Sequence, residues 1–233
     1  EMRESDWSSD VCSSDLNLFN PGYRKQKTTD RVILHSDLNC FYAAVETMLN
    51  PDLKGKAIAV CGSTEERHGI ILAKSYPAKA QGVRTGMVNW EAKRLCPELI
   101  FVPPHYDQYV KYSRLVEELY SRFTEQGEPF GMDECWLDVT ASTDLYGNGL
   151  SIASRISNLV ADELGLTVSI GVSFNKVFAK LGSDMHKPRG LTQISRENFR
   201  ELVWPLPVGK LIYAGPATVL KLAQRGILTV GQL

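Results

Sequence analysis

The sequence predicts an α+β protein, a sheet domain with packed helices followed by a smaller all-helical segment. Three observations carry this. Short apolar runs that read as buried strands recur through residues 31–194. Stretches with apolar residues at helical spacing lie between them, without a strict βαβ rhythm. Beyond a boundary near 192–204 the strand signals give way to short helical stretches around Gly209, Gly215 and Gly226.

Taken in order, residues 31–37 (RVILHSD) read as a buried strand running into a polar end. Residues 39–48 carry apolar side chains at 41, 44, 45 and 48, which is helical spacing, so a strand feeds a helix with Asp37 at the junction. Residues 57–60 (AIAV) and 69–73 are further strands, and a helix over 75–81 is stopped by Gly82. A short helix at 90–95 is closed by Cys96-Pro97, and a strand at 99–102 ends at Pro103-Pro104. Apolar residues at 109, 112, 115, 116, 119, 120 and 123 predict a long amphipathic helix over 106–124. Residues 132–140 (MDECWLDVT) have β propensity. A helix over 150–163, a strand over 167–172, a helix over 175–185 and a strand over 191–194 complete the sheet domain. A helix begins at 197–202.

Composition bounds the function classes. The chain has 233 residues, 43% hydrophobic and 23% charged, which is ordinary globular composition with room for one large domain or two modest ones. No apolar run approaches the roughly 18 residues of a membrane span, and a cytoplasmic protein is expected. Net charge is −1, so composition alone gives no sign of a nucleic-acid partner. Five cysteines without a CxxC pair argue against a disulfide framework or a zinc site. Residues 1–16 have no apolar periodicity and no signal-peptide core. Their segment DWSSDVCSSDL resembles a translated sequencing adapter. Residues 1–30 are therefore expected to be a disordered tail, in part a sequence artefact.

Three groups of residues could carry chemistry. Asp37 follows one strand, and Asp133 and Glu134 begin another. Carboxylates at a sheet edge suit Mg²⁺, which takes a few carboxylates plus phosphate oxygens. Neighbours in a strand point to opposite faces, so Asp133 and Glu134 can share a site only if the backbone bends, as Gly131 allows. Lys79, Arg84 and Lys187 could offer cations to a triphosphate. Phe41 and Tyr42 follow the first acid, and only one of two helical neighbours can pack while the other reaches a site. Taken singly, each acid is better explained as a solvated turn acid or helix cap, and each base as a solvated helix face. The helices of 206–233 could offer backbone N–H groups to a phosphate, and ordinary packing accounts for them equally well.

Four segments in order resemble the Y-family DNA polymerases, in the DNA polymerase IV branch: HSDLNCFYAAVE at 35–46, YPAKAQGVRTGM at 76–87, MDECWLDVT at 132–140 and SIGVSFNKVFAKLGSDMHKPRG at 169–190. The resemblance spans residues 31–233. It implies a palm of mixed sheet and helices at 31–40 and 106–192, small fingers at 41–105, and an incomplete all-helical thumb at 193–233, with the little finger absent. It implies that Asp37, Asp133, Glu134 and the carbonyl of Leu38 hold two Mg²⁺ ions, with the three acids catalytic. Tyr42 would be the steric gate against a ribose 2′-OH, with Phe41 beside it, and Tyr76, Lys79 and Lys187 would grip the dNTP. Gly215 would touch the DNA backbone.

The implied reaction is low-fidelity, translesion extension of a primer 3′-OH on primer–template DNA. A sliding clamp is the expected partner of a full-length protein, through a docking segment missing here. Three departures stand out. Lys79 replaces a common Arg and loses its bidentate fork. Asn39 replaces a common Asp. Residues 213–215 (YAG) have one glycine where two are usual. A non-catalytic scaffold in a mutasome is the alternative, opposed by the presence of all three acids. A nucleotide cyclase would need a glycine-rich hairpin with paired acids, GGDEF-like, and GMDECW does not match it.

Overall fold

Every residue of the first strand, β1 (Ile33–Leu38), is buried, and the architecture follows from covering both of its faces. The computed structural model describes residues 30–62 and 69–233. The expected tail, with Cys12, lies outside the described residues apart from Asp30. After β1 come α1 (Phe41–Leu49), β2 (Ile58–Cys61), β3 (Ile71–Lys74), α2 (Tyr76–Ala80), α3 (Asn89–Leu95) and β4 (Ile100–Val102). The chain continues through α4 (Tyr106–Ser121), β5 (Gly127–Phe130), β6 (Glu134–Asp138), α5 (Thr143–Tyr146), α6 (Gly149–Leu164) and β7 (Val168–Ser173). It ends with α7 (Lys176–Met185), β8 (Leu191–Ile194), α8 (Phe199–Val203) and α9 (Pro216–Ala223).

Five strands form one sheet in the order β5-β6-β1-β7-β8. β1 runs antiparallel to both β6 and β7, and β7 is parallel to β8. Alternation along β1 sorts its side chains. Leu34 and Leu38 join the main core with Tyr109, Val116 and Leu119 of α4 and Ile152, Ile156 and Val160 of α6. Ile33 packs on the other face against Trp136 and Ala179, under α7. His35 and Asp37 share the parity of Ile33, and both meet α7 side chains.

The seat of α7 depends on small residues. A Cβ on Gly171, in the middle of β7, would overlap the carbonyl oxygen of Ala179 and the backbone of Gly182 and Ser183. Glycine at 171 thus lets the helix lie directly on the sheet. Asn175 caps α7 by accepting from Phe178 N.

A second, three-stranded sheet has the order β3-β2-β4. Its core is Ala59, Cys61 and Ile71 with Ala78, Val83, Ala92 and Leu99. The C-terminal helices gather around Leu181, Ile194 and Val203, with Leu206, Leu211 and Val230 packed against them. By contacts, Arg31–Leu233 hold together as one compact unit. No helix among the described residues is long and apolar enough to cross a membrane.

The α+β expectation agrees with this architecture, and the differences are local. The strand expected over 132–140 is shortened to Glu134–Asp138, because residues 131–133 form a turn. β5 was not anticipated, since Pro129 interrupts its strand signal and all four of its residues are exposed. An edge strand tolerates proline because one side of its backbone has no ladder partner. The 3₁₀ turn Thr140–Ser142 and α5 are also additions to the sequence reading, too short to show periodicity.

Candidate active site

The antiparallel register sets Asp37 directly opposite Glu134. Like charges facing each other across two strands repel, so something must neutralise them. Asp133 joins them through the bend that the sequence suggested. Gly131 takes φ +77°, a left-handed turn conformation open to glycine, and the chain turns before β6 begins. The carbonyl of Asp133 then accepts from Leu38 N at 2.8 Å, which ties the turn to the end of β1. Asp37, Leu38, Asp133 and Glu134 line one open cleft of about 370 Å³.

Two lysines supply the neutralising charge. Lys180 Nζ lies 3.2 Å from Asp37 Oδ2 and 2.9 Å from Glu134 Oε1. Lys187 Nζ lies 2.6 Å from Asp37 Oδ2. Both also contact Asp184, at 3.4 and 3.1 Å. Burial alone would lower both lysine pKa values; the carboxylates outweigh it and hold them above the usual value.

The acids respond differently. Burial raises Asp37, which remains raised despite Lys187 and Lys180. Burial, then the charges of Asp37 and Glu134, push Asp133 up to about 6. Burial would also raise Glu134, but contacts with His35 and Lys180 prevail and bring it down to about 2. His35 is fully buried, and desolvation holds it below its usual value.

The cleft's other wall is aromatic and basic. Phe41 and Tyr42 both line it, and they divide as helical neighbours do: Phe41 is in the core, while Tyr42 is only half-buried. Tyr42 stacks on Tyr109 at 4.1 Å and 7°. Tyr76 lines the cleft, and its hydroxyl donates to Asn39 Oδ1 at 3.2 Å. Burial, then the neighbouring Cys40, raise the Tyr76 phenol. Asn39 also accepts from Ser169 Oγ at 2.9 Å, so this side chain is committed to fixing its neighbours. Lys79, exposed, and Lys187 complete the wall.

Arg84 is exposed and lies outside the residues lining the cleft. Gly215 is also outside it, at the N-cap of α9. Near it, Tyr213 takes φ +65°, a left-handed conformation costing a residue with a Cβ about 1 kcal/mol. The sequence reading missed Lys180, His35 and the cleft-lining Lys74. For Lys180 the one local signal is its i,i+4 spacing to Asp184 on α7, which points to neither acid across the sheet.

The matched family model is described as the IMS, impB/mucB/samB family, and it covers residues 36–184. The chain belongs to this family. DNA polymerase IV of Acetivibrio thermocellus is 52% identical over 203 residues, covering 87% of this chain and 51% of that protein. DNA polymerase IV 1 of Bacillus subtilis is 43% identical, covering 87% of this chain and 49% of that protein. DinB from Sulfolobus solfataricus superposes with a TM-score of 0.77 at 29% identity, over 85% of this chain and 58% of that one. The insertion ternary complex of Dbh DNA polymerase gives a TM-score of 0.79 at 29% identity, with the same coverage. The chain spans about half the length of the curated relatives it matches. Within this impB/mucB/samB chain, the matched span contains all three cleft acids and Lys180.

The donors can be tested for a hard cation. Three carboxylates and a strand-end carbonyl are all oxygen ligands, the set that Mg²⁺ takes. Glu134 Oε2 is buried 3.2 Å from His35 Nε2, and its Oε1 is held by Lys180. Among the described residues no three acidic, histidine or cysteine side chains converge into a finished metal cage. Lysine ammonium groups hold the carboxylate oxygens instead. The donor chemistry fits a hard cation, which would have to displace those lysine contacts.

Proposed function

We propose that this chain is the catalytic part of a translesion DNA polymerase that adds dNTPs to a primer 3′-OH. The observation that carries the reading is the single cleft in which Asp37, Asp133 and Glu134 face Tyr42, Tyr76, Lys79 and Lys187. The names of the relatives support it. We assign the palm to 31–40 and 106–192, the fingers to 41–105 and the start of the thumb to 193–233.

Two Mg²⁺ ions held by Asp37, Asp133, Glu134 and the Leu38 carbonyl would lower the pKa of the primer hydroxyl and neutralise the triphosphate. The chain's own groups do the positioning. Lys79 and Lys187 offer charge to the triphosphate, and Tyr76, held by Asn39, offers a hydroxyl. Tyr42, backed by Tyr109, closes the space where a ribose 2′-OH would sit. Lys180 balances the acids before substrate enters. Gly215 would meet the DNA backbone, and in a full-length protein a sliding clamp would be the partner. All three acids are present, which disfavours a non-catalytic scaffold.

The test is primer extension by the 233-residue chain beside Asp133→Ala, paired with Mg²⁺-dependent dNTP binding by calorimetry. Extension and binding that both vanish in Asp133→Ala support the reading. A chain that neither extends nor binds dNTP with Mg²⁺ refutes it.

A further inference from the structure

Glu134 is gripped from two sides, by Lys180 and by His35. Its Oε1 meets Lys180 at 2.9 Å. Its Oε2 meets Nε2 of the fully buried His35 at 3.2 Å, off-axis, and neither atom has a better partner. His35 does not line the cleft and cannot touch substrate. Behind it, Nδ1 lies 2.8 Å from Ser183 Oγ, and its ring stands edge-on to Trp136 at 4.9 Å.

Proton counting fixes the roles. An ionised carboxylate only accepts, so Nε2 must carry the hydrogen that meets Oε2. A neutral ring protonated at Nε2 has a bare Nδ1, which needs a donor. Ser183 Oγ is the atom in place. That hydroxyl has one hydrogen and two acceptors within 2.8 Å, Nδ1 and the Lys180 carbonyl. The Nε2–H tautomer directs it to Nδ1.

We infer that His35, oriented by Ser183, is a positioning residue that aims the Glu134 carboxylate into the cleft. The inference rests on the proposed polymerase reading and deepens it. It places a support behind the metal-binding acid, of the kind whose loss costs about 10–100-fold in metal affinity or activity. The same helix, α7, brings both grips: Lys180 directly and Ser183 through His35.

The first test is the ¹⁵N spectrum of the imidazole in the unaltered chain, with His35 assigned by His35→Gln. The expected result is a protonated Nε2 and a bare Nδ1. A bare Nε2 overturns the inference, whatever the chain's activity. The second is Mn²⁺ binding by electron paramagnetic resonance without DNA or nucleotide, alongside primer extension. His35→Phe should weaken Mn²⁺ and lower kcat by about 10-fold or more, with the KM for dNTP nearly unchanged. His35→Gln, which can return an N–H near Nε2, should recover most of both, and Ser183→Ala should fall between. Wild-type Mn²⁺ affinity in a folded His35→Phe chain also overturns it. Mn²⁺ binding unaffected by Asp133→Ala counts instead against the polymerase reading, and the imidazole spectrum still decides the role of His35.

Discussion

Lys180 Nζ lies 2.9 Å from Glu134 Oε1, a lysine and a glutamate joined across a sheet–helix contact. The pair is only partly exposed, at 14% and 19% of the side chains. Lys180 also reaches Asp37, the strand partner of Glu134. Removing it leaves two opposed carboxylates without that cation. Lys180→Met should therefore lower stability by about 1–3 kcal/mol without divalent metal. Mg²⁺ should raise the Tm of the variant more than that of the parent, because the metal replaces the lost charge. Thermal melts with and without Mg²⁺ check this, and equal Tm values in its absence would mean the bridge contributes nothing.

Asp133 gives a pH prediction of definite sign. Its folded pKa, about 6, lies above its ordinary 3.8. The folded state thus binds the proton more tightly, and its stability falls as pH rises from about 4 to about 6. Above that window the full penalty is present, up to about 3 kcal/mol. Asp133→Asn removes it. The variant should be more stable than the parent at pH 7 and equal to it near pH 4, with no metal added. Glu134 acts oppositely, contributing stability that is lost as pH falls from 4.5 towards about 2, and because parent and variant share it the comparison between them still reads Asp133. Denaturant titrations across pH 4–7.5 test this, and a difference independent of pH would contradict it.

Much of this arrangement is legible in the sequence because it follows chain-local rules. The buried run of β1, the helical spacing of α1 and α4, and the Asn175 cap of α7 can all be read from a few neighbours. Asp133 and Glu134 sharing a cleft could be anticipated from Gly131. What stayed hidden depends on tertiary register. His35 reads as one more strand residue until β6 is set beside β1, and only α7 seated on Gly171 brings Ser183 to it. Lys180 lies 143 residues from Asp37, a pairing that no local pattern encodes. β5 escaped because its burial signal is nil.

Tyr42 tests the steric reading of the cleft. Its ring is held flat against Tyr109 at 4.1 Å, and the Tyr109 hydroxyl is fixed in turn by the buried Glu46. A ring so backed would not swing aside to admit a 2′-OH. Tyr42→Ala should lower discrimination of dNTPs against rNTPs by about 10-fold or more, while dNTP incorporation persists. Single-nucleotide incorporation with matched dNTP and rNTP pairs measures it. Unchanged discrimination would make Tyr42 a packing residue only.

Gly171 joins the fold to the site most directly. It lies on the face of β7 that receives α7, and any Cβ there would overlap the Ala179 carbonyl and the backbone at 182–183. Those atoms are main chain, so no rotamer change relieves the clash. Gly171→Ala must lift α7, which carries Lys180 and Ser183, and shift the Lys187 loop behind it. The expected outcome is a loss of about 3 kcal/mol or more, with metal and dNTP binding impaired even where the variant stays folded at low temperature. Gly62→Ala is the control, since nothing lies within 4 Å of a Cβ built there and its φ is not left-handed. Urea melts and dNTP calorimetry on the two variants distinguish a helix seated by the glycine from one that merely passes over it. Equal stability and equal binding would show that α7 has slack, and that the lysine–carboxylate geometry is set by the side chains alone.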